Sequence, residues 1–418
     1  MTNTQAAVVD FGTSKVVTII AQSSKTERSE IIGTGSVLYD GFRDGDWNTP
    51  EKLVESVKNS IAAAELQARQ SVREVYVGVP GEYVKVFTDE AEVPITGPDG
   101  TVSAEDIDAV HDAVADRLNL IGMDGIVLHR SPAWFSVDDG KTMLLPFGQH
   151  GSRLRGKISY ILADRQFMND IAELMGMLNI TVAGYLSSSL GTALLMVPPE
   201  ERDRTAVLID MGYLNTEINV VEGETIIYHK VLDVGGSELT VALAEEEGLS
   251  LKDAERIKRG FSFQPDEFEA QEDIEIRDPY TGRREMIPRR HVRSIMQAAM
   301  QDLTDRIRDE MDGDPENERE KRRRNDRDSG VFALISQRSR IYLTGGGIAM
   351  MKGGRNELSE ALGVAVESVT NKTSKLNYPM FSSALGLTNL VFDALQVEEE
   401  RESSGGAFSG VKNLFRKK

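Results

Sequence analysis

The sequence predicts an α/β chain built from two related domains that face each other across a cleft. Three observations carry that reading. An apolar run, Ala6 to Val9, leads into Asp10-Phe11-Gly12-Thr13-Ser14-Lys15 and then into a second apolar run, the pattern of a β-hairpin with a polar tip. The arrangement returns at Ala206 to Ile209, followed by Asp210-Met211-Gly212-Tyr213-Leu214-Asn215-Thr216, with the second aspartate 200 residues after the first. Two copies, each opening a long α/β segment, point to two related domains that each supply one hairpin. A third buried-strand pattern, Arg340 to Thr344, runs into Gly345-Gly346-Gly347.

Each element has a chemistry that suits its residues. A strand ending in Asp, followed by Gly and small hydroxyl residues, can aim backbone N–H groups at a phosphate while the carboxylate holds a hydrated Mg²⁺. The same residues suit an ordinary turn, so the hairpin at Asp10 decides little alone, and its second copy at Asp210 tips the balance. Three glycines before a helix expected from about Ala349 to Leu362 leave N–H groups unshielded, which fits a nucleotide lying along the backbone as well as a tight β–α connection. Ser250 to Lys258 reads as a capped helix with Glu255 and Lys258 one turn apart on one face, a spacing that equally describes a surface ion pair. A further helix, expected around Gly184 to Val197, carries Ser187, Ser188, Ser189 and Thr192 but no group able to orient a water. No catalytic base is assigned, and no carboxylate beyond Asp10 and Asp210 is expected in the cleft.

Composition narrows the alternatives. The 418 residues, 40% of them hydrophobic, suffice for a sizeable core and two or three domains. A net charge of -19 argues against a nucleic-acid partner, because such a field repels a polyphosphate wherever no local basic patch intervenes. The absence of cysteine excludes disulfides, thiolate metal clusters and a cysteine nucleophile, and the five histidines lack zinc-binding spacing. The first residues show no basic region followed by an apolar stretch, and no apolar run reaches spanning length, so export is not expected. There is no Walker-type loop and no G-x-S-x-G elbow, and Gly33-Thr34-Gly35-Ser36-Val37-Leu38 fails as a dinucleotide fingerprint at its last position.

In this order the pieces resemble the actin, sugar kinase and Hsp70 superfamily, and within it the bacterial cell-division FtsA family, along nearly the whole chain. The resemblance implies an actin-like two-domain ATPase fold. It assigns Asp10, Gly12, Thr13, Ser14 and Lys15, together with Asp210, Gly212, Asn215 and Thr216, to the phosphates of ATP. It further implies that Asp10 and Asp210 place Mg²⁺ through water, that Gly345, Gly346 and Gly347 meet the nucleoside, and that Glu255 and Lys258 meet ribose and adenine. The superfamily's second phosphate turn usually continues Gly-Gly-Gly-Thr, whereas this chain has Tyr213, Leu214 and Asn215. ATP binding with weak or no hydrolysis is therefore the expectation.

Between a strand at Val75 to Val79 and the second half, a helical pattern over Ser103 to Leu118 and a strand over Gly156 to Ala163 mark an extra α+β subdomain, which the resemblance identifies as an SHS2-like insertion. The expected plan places the first actin-like domain at residues 1–82 and 164–204, with 363–396 packing back on it, and the insertion at 83–163. The second domain takes 205–240 and 291–362, its outer subdomain 241–290, a flexible linker 397–407, and a membrane-targeting amphipathic helix 408–418.

The resemblance also implies partners: a filament of copies of this chain on the cytoplasmic face of the cell membrane at the division septum. The outer subdomain would receive the C-terminal tail of FtsZ, anchoring the FtsZ ring, and the insertion would meet later division proteins. Arg289, Arg290 and Arg293, close together at a helix start, can pair with an acidic peptide or stand solvated. Asp312 to Gly330 reads as a mixed-charge surface loop. After an acidic tether from Glu398, a helix would gather Phe408, Val411, Leu414 and Phe415 on one side, with Lys412, Arg416 and Lys417 on the rest. Such a basic amphipathic segment suits an anionic membrane, weakly in one copy and firmly in a row of copies. Two alternatives remain. A PilM-like pilus-assembly scaffold shares the hairpins and insertion without the tethered basic tail, and a small-molecule kinase of the same superfamily would need a further acid in the cleft.

Overall fold

The computed structural model describes residues 4–23, 29–40, 42–43, 46–47, 49–264, 273–277, 284–313, 331–336, 338–369 and 376–403. Most of the expected mixed-charge loop and all of the expected amphipathic tail, including Phe408, Val411, Lys412, Leu414, Phe415, Arg416 and Lys417, lie outside them.

The duplication read from the hairpins is a duplication of whole sheets. One five-stranded sheet runs in the order Thr181–Ser187, Glu74–Val79, Gln5–Phe11, Lys15–Ser23, Ser29–Leu38. The other, also five-stranded, runs Val366–Ser368, Ile341–Thr344, Ala206–Met211, Thr216–Glu222, Thr225–Leu232. In both, the first three strands along the chain form an antiparallel meander, and two later strands add in parallel beside the first. The strands carrying the aspartates are central and covered on both faces, which is why Ala6 to Val9 and Ala206 to Ile209 are continuous apolar runs rather than alternating ones. Burial of side chains such as Val9, Ile19, Leu208 and Ile209 contributes roughly 1.5–3 kcal/mol apiece for the larger ones.

Helices close the layers. Pro50–Ala68 packs on the first sheet, while Ser188–Met196 and Ser382–Ser403 cross each other beneath Asp10. The crossing is tight because it is glycine on glycine: a Cβ on Gly191 would stand 2.7 Å from the backbone of Gly386. Three expectations shift here. Residues 181–187 are strand and the helix begins only at Ser188, because Ser187 caps it, its hydroxyl accepting from the Leu190 N–H at 3.2 Å. The helix expected from Ala349 begins at Gly354, since Gly353 turns the chain with φ 88° and residues 345–353 form successive turns. The expected linker from 397 is helical as far as Ser403, in keeping with the helix propensity of Glu398, Glu399, Glu400 and Arg401.

The insertion is a three-stranded antiparallel sheet, Val84–Pro94, Arg153–Ala163 and Ile126–Val137, covered by the helix Ala104–Leu118. That helix opens with a full capping box, Ser103 and Asp106 each serving the other's backbone N–H. The insertion leaves the first domain at Pro80 yet rests on the outer strand of the second sheet. Ser159 Oγ donates to the Ile226 carbonyl at 2.6 Å, Thr88 Oγ1 to Ile227 at 3.2 Å, and Lys157 pairs with Glu222 at 2.7 Å.

The outer part of the second domain contains Ser237–Glu247, Leu251–Arg259, the strand pair Ile274–Arg277 and Arg284–Ile287, and the long helix Arg289–Asp312. Of the three arginines at its start, Arg293 is engaged inside the fold. It donates to the carbonyls of Ser262 at 3.1 Å and Phe263 at 3.3 Å and lies over the Phe261 ring, whereas Arg290 is exposed. Among the described residues, no helix is long and apolar enough to cross a membrane.

Candidate functional site

The two hairpin tips meet between the sheets and bound a cavity of about 310 Å³, within the range of small-molecule sites. Of the residues singled out in the sequence, Asp10, Gly12, Thr13, Ser14, Lys15, Asp210, Gly212, Asn215, Glu255, Lys258, Gly345, Gly346 and Gly347 all line it. Each tip is closed by the same bond: the Gly12 N–H donates to Lys15 at 2.9 Å and the Gly212 N–H to Asn215 at 2.8 Å. The tips touch directly, the Leu214 N–H donating to Thr13 Oγ1 at 3.2 Å.

Thr216 is the exception. It is fully buried and donates to the Val234 carbonyl at 2.7 Å, on the face of its strand away from the cavity. Strand alternation explains this, since residues i and i+2 share a face: Asn215 and Glu217 line the cavity, and Thr216 between them faces the core.

Asp10 sits at the end of the first central strand, its Oδ1 accepting from Ser188 Oγ at 2.9 Å and Ser383 Oγ at 2.8 Å. Burial pushes its carboxyl above the usual range despite the two hydroxyls and Lys15. Asp210 is raised too, by burial first and then by the charges of Glu217 and Asp10. Lys15 is lowered to about 8 by burial, against the pull of both aspartates, and lies over the Phe381 ring at 5.2 Å. The carboxylates thus outnumber the cations that face them, an imbalance that a divalent ion bound through water would relieve. Among the described residues no group of three or more metal-ligating side chains stands together.

The glycine turn lies against the second hairpin tip and completes the wall on that side. The Gly347 N–H donates to Met211 at 2.8 Å. Gly345 has φ 96°, and a Cβ there would stand 2.2 Å from the Met211 carbonyl and 2.5 Å from Asp210 Oδ1, so no other residue fits. Glu255 and Lys258 pair at 2.7 Å with Lys258 buried, not exposed on the surface. Lys258 also donates to the Gly236 carbonyl at 2.8 Å and lies over the Tyr213 ring. Glu255 accepts further from Thr240 and Arg259. Burial alone would raise Glu255, and Lys258, Thr240 and Arg259 together bring it below its ordinary value.

The cavity also holds groups that sequence reasoning missed. Glu82 and Glu217 both line it, which corrects the expectation of no further carboxylate and removes the ground on which a kinase was disfavoured. Glu82 is pushed up to about 8 by burial and by Glu217, and it accepts a hydrogen bond from the Asn215 side chain. A signal for Glu82 existed. It follows the strand Glu74–Val79 by three residues, and open α/β sheets place their ligands at the carboxyl ends of such strands.

Comparison with known proteins follows the same lines. The family model "Cell division protein FtsA" matches residues 207–386, and "SHS2 domain inserted in FTSA" matches residues 81–162. The cell division protein FtsA of Borreliella burgdorferi is 27% identical over 60% of this chain and 60% of its own length, and that of Escherichia coli K12 is 26% identical over 60% of this chain and 59% of its own. The matched stretch thus spans about three fifths of these relatives. The FtsA of Streptococcus pneumoniae is 22% identical over 97% of this chain and 83% of its own length. Among solved structures, the PilM-PilN type IV pilus biogenesis complex superposes with a TM-score of 0.60 at 17% identity, over 93% of this chain and 99% of that one. MreB 5 of Spiroplasma citri bound to AMPPNP superposes with 0.52 at 12% identity, over 96% and 99%. The fold is therefore actin-like with an SHS2 insertion, and, on the two family models that together span more than half of its length and on these relatives, the chain belongs to the FtsA family of cell-division proteins.

Proposed function

We propose that this chain binds ATP in the cleft and assembles, nucleotide-bound, into filaments that tie the FtsZ ring to the cytoplasmic face of the cell membrane at the septum. The observation that supports ATP most directly is the meeting of the two hairpin tips over one cavity, with a glycine turn packed beside the second tip. The hairpins Asp10 to Lys15 and Asp210 to Asn215 offer N–H groups and Lys15 to the phosphates. Gly345 to Gly347 leave a flat backbone for the nucleoside, and the buried Glu255–Lys258 pair offers an acceptor and a donor to ribose and adenine. Mg²⁺ entering with the phosphates would neutralise charge between Asp10 and Asp210.

In the rest of the reading, the outer subdomain receives the FtsZ tail, with Arg290 the exposed arginine available to an acidic peptide. The SHS2 insertion serves later division proteins, and residues 408–418 hold the membrane. Lys412, Arg416 and Lys417 would contribute about 1 kcal/mol each near an anionic surface, so one copy holds weakly and a row of copies firmly. The test pairs ATP titration calorimetry, with Mg²⁺, against flotation on vesicles containing anionic lipid. The full chain, a chain ending at Ser404 and Asp10→Ala are compared. ATP should bind the first two and not Asp10→Ala, and only the full chain should float with ATP. Equal flotation of all three would sink the assembly-dependent anchor, and absence of ATP binding to the full chain would sink the nucleotide reading.

A further inference from the structure

The structure assigns to Glu82 a role that nothing in the hairpin pattern supplies: we infer that it orients and deprotonates the water that attacks ATP in this cleft, and that Asn215 holds it there. This rests on the reading of the cleft as an ATP site.

Position comes first. Glu82 stands in the short turn Gly81–Tyr83, directly after the strand Glu74–Val79 that pairs in parallel with the strand bearing Asp10. It therefore enters the cavity from the first domain while touching the second, because the amide of Asn215, in the second hairpin tip, donates to its carboxylate. The turn itself is pinned across the cleft. His229 bridges the Gly81 carbonyl at 3.0 Å and the Asn219 side chain at 2.6 Å, and Glu217 lies so close that a Cβ on Gly81 would fall 2.4 Å from its Oε1.

The other carboxylates in the cavity are committed elsewhere. Asp10 is held by two serine hydroxyls, Asp210 is packed under Gly345, and Glu217 is wedged against the Gly81 turn. Glu82 lines the same cavity and is held by the second tip. Burial first, and then the charges of Glu217 and Asp233, raise its proton affinity to about 8, in the range where a carboxylate serves as a base near neutral pH. In the step itself the water oxygen bonds to the γ-phosphorus as the bond from that phosphorus to the β,γ-bridging oxygen breaks. ADP and inorganic phosphate leave, and the water's proton passes to Glu82 and then to solvent. Asn215, one of the three residues that stand where the usual turn continues with glycines and threonine, donates its side-chain amide to that base.

The experiment follows phosphate release in a single turnover, with ATP affinity measured separately by calorimetry, for the full chain, Glu82→Gln, Glu82→Asp and Asn215→Ala. Glu82→Gln keeps the shape of the side chain, so its fold should hold; a thermal unfolding midpoint checks this, and Glu82→Asp, one methylene shorter, gives a second reading. We expect Glu82→Gln to slow release by about 100-fold or more with ATP affinity changed less than threefold, and the two other variants to slow it about tenfold. Unchanged release in Glu82→Gln, or no release from the full chain although it binds ATP, overturns the inference. Failure of the full chain to bind ATP overturns the reading of the cleft instead.

Discussion

Lowering the pH from 7 to 5 should destabilise the fold through two buried histidines, which stay neutral in it while the unfolded chain takes up their protons. His129 is almost fully buried, and its Nε2 accepts from the Ser187 N–H at 2.9 Å. Ser187 in turn caps the helix whose Ser188 donates to Asp10. Burial lowers His129 to about 3, and burial with the Arg130 charge lowers His111 to about 3. A folded value below the unfolded one near 6.5 means that the unfolded chain binds more protons, so stability is present above pH 6.5 and is lost as pH falls toward 3. At pH 5 each group forfeits about 2 kcal/mol relative to pH 7 by that linkage, a large share of a typical domain's stability.

The raised carboxyls act in the opposite sense. Glu82, at about 8, takes up a proton in the folded state as pH falls and returns about 2 kcal/mol over the same interval, so the whole chain's pH profile understates the effect. The readout is therefore a difference. Urea unfolding of the wild type and of His129→Gln, whose amide can still accept from Ser187, should give free energies that converge by about 2 kcal/mol between pH 7 and pH 5. Parallel curves, or a His129 ring titrating above pH 5.5 by NMR, would refute the reasoning.

Two more substitutions probe the walls of the cleft. Gly345→Ala sets a methyl 2.2 Å from the Met211 carbonyl at φ 96°, and should lower stability by about 2 kcal/mol or more and weaken ATP binding more than tenfold, read by thermal unfolding and calorimetry. Lys258→Met leaves Glu255 with only Arg259 and Thr240, and loss of one partner from a buried pair should cost about 3 kcal/mol; the double change with Glu255→Leu should recover most of it, as measured by urea denaturation.

The parts legible in the sequence were those fixed by short-range rules. Strand, aspartate, glycine and strand again define a hairpin wherever they fall, and Ser103 with Asp106 defines a helix start, so both sheets and the insertion's helix stand where the residues put them. What escaped depended on contacts between distant segments. Glu82 and Asn215 are 133 residues apart, and only the topology that brings the end of Glu74–Val79 to the second hairpin makes them neighbours. The spacing of Glu255 and Lys258 leaves a surface pair as open as a ligand contact, because it says nothing of Tyr213 and Gly236, which meet Lys258 in the fold. Thr216 was read as a phosphate ligand by analogy with a Gly-Gly-Gly-Thr turn, though strand alternation alone turns it toward the core.

The second tip is where these levels meet. Tyr213, Leu214 and Asn215 looked like a degraded phosphate turn, since side chains replace glycines that let a backbone approach closely. Each has an occupation in the fold. The Tyr213 ring covers the Lys258 ammonium at 5.3 Å, the Leu214 N–H reaches Thr13 of the other tip, and the Asn215 amide reaches Glu82. All three contacts tie the second hairpin to something outside it, two of them across the cleft to the first domain. A glycine turn would grip phosphate through its backbone and leave the domains free to part. With ATP bound as proposed, this one would couple the grip to closure, because the groups that hold the tips together also line the cavity. On the proposed reading, a chain that assembles on binding ATP would gain from that coupling wherever nucleotide binds the closed arrangement more tightly than an open one.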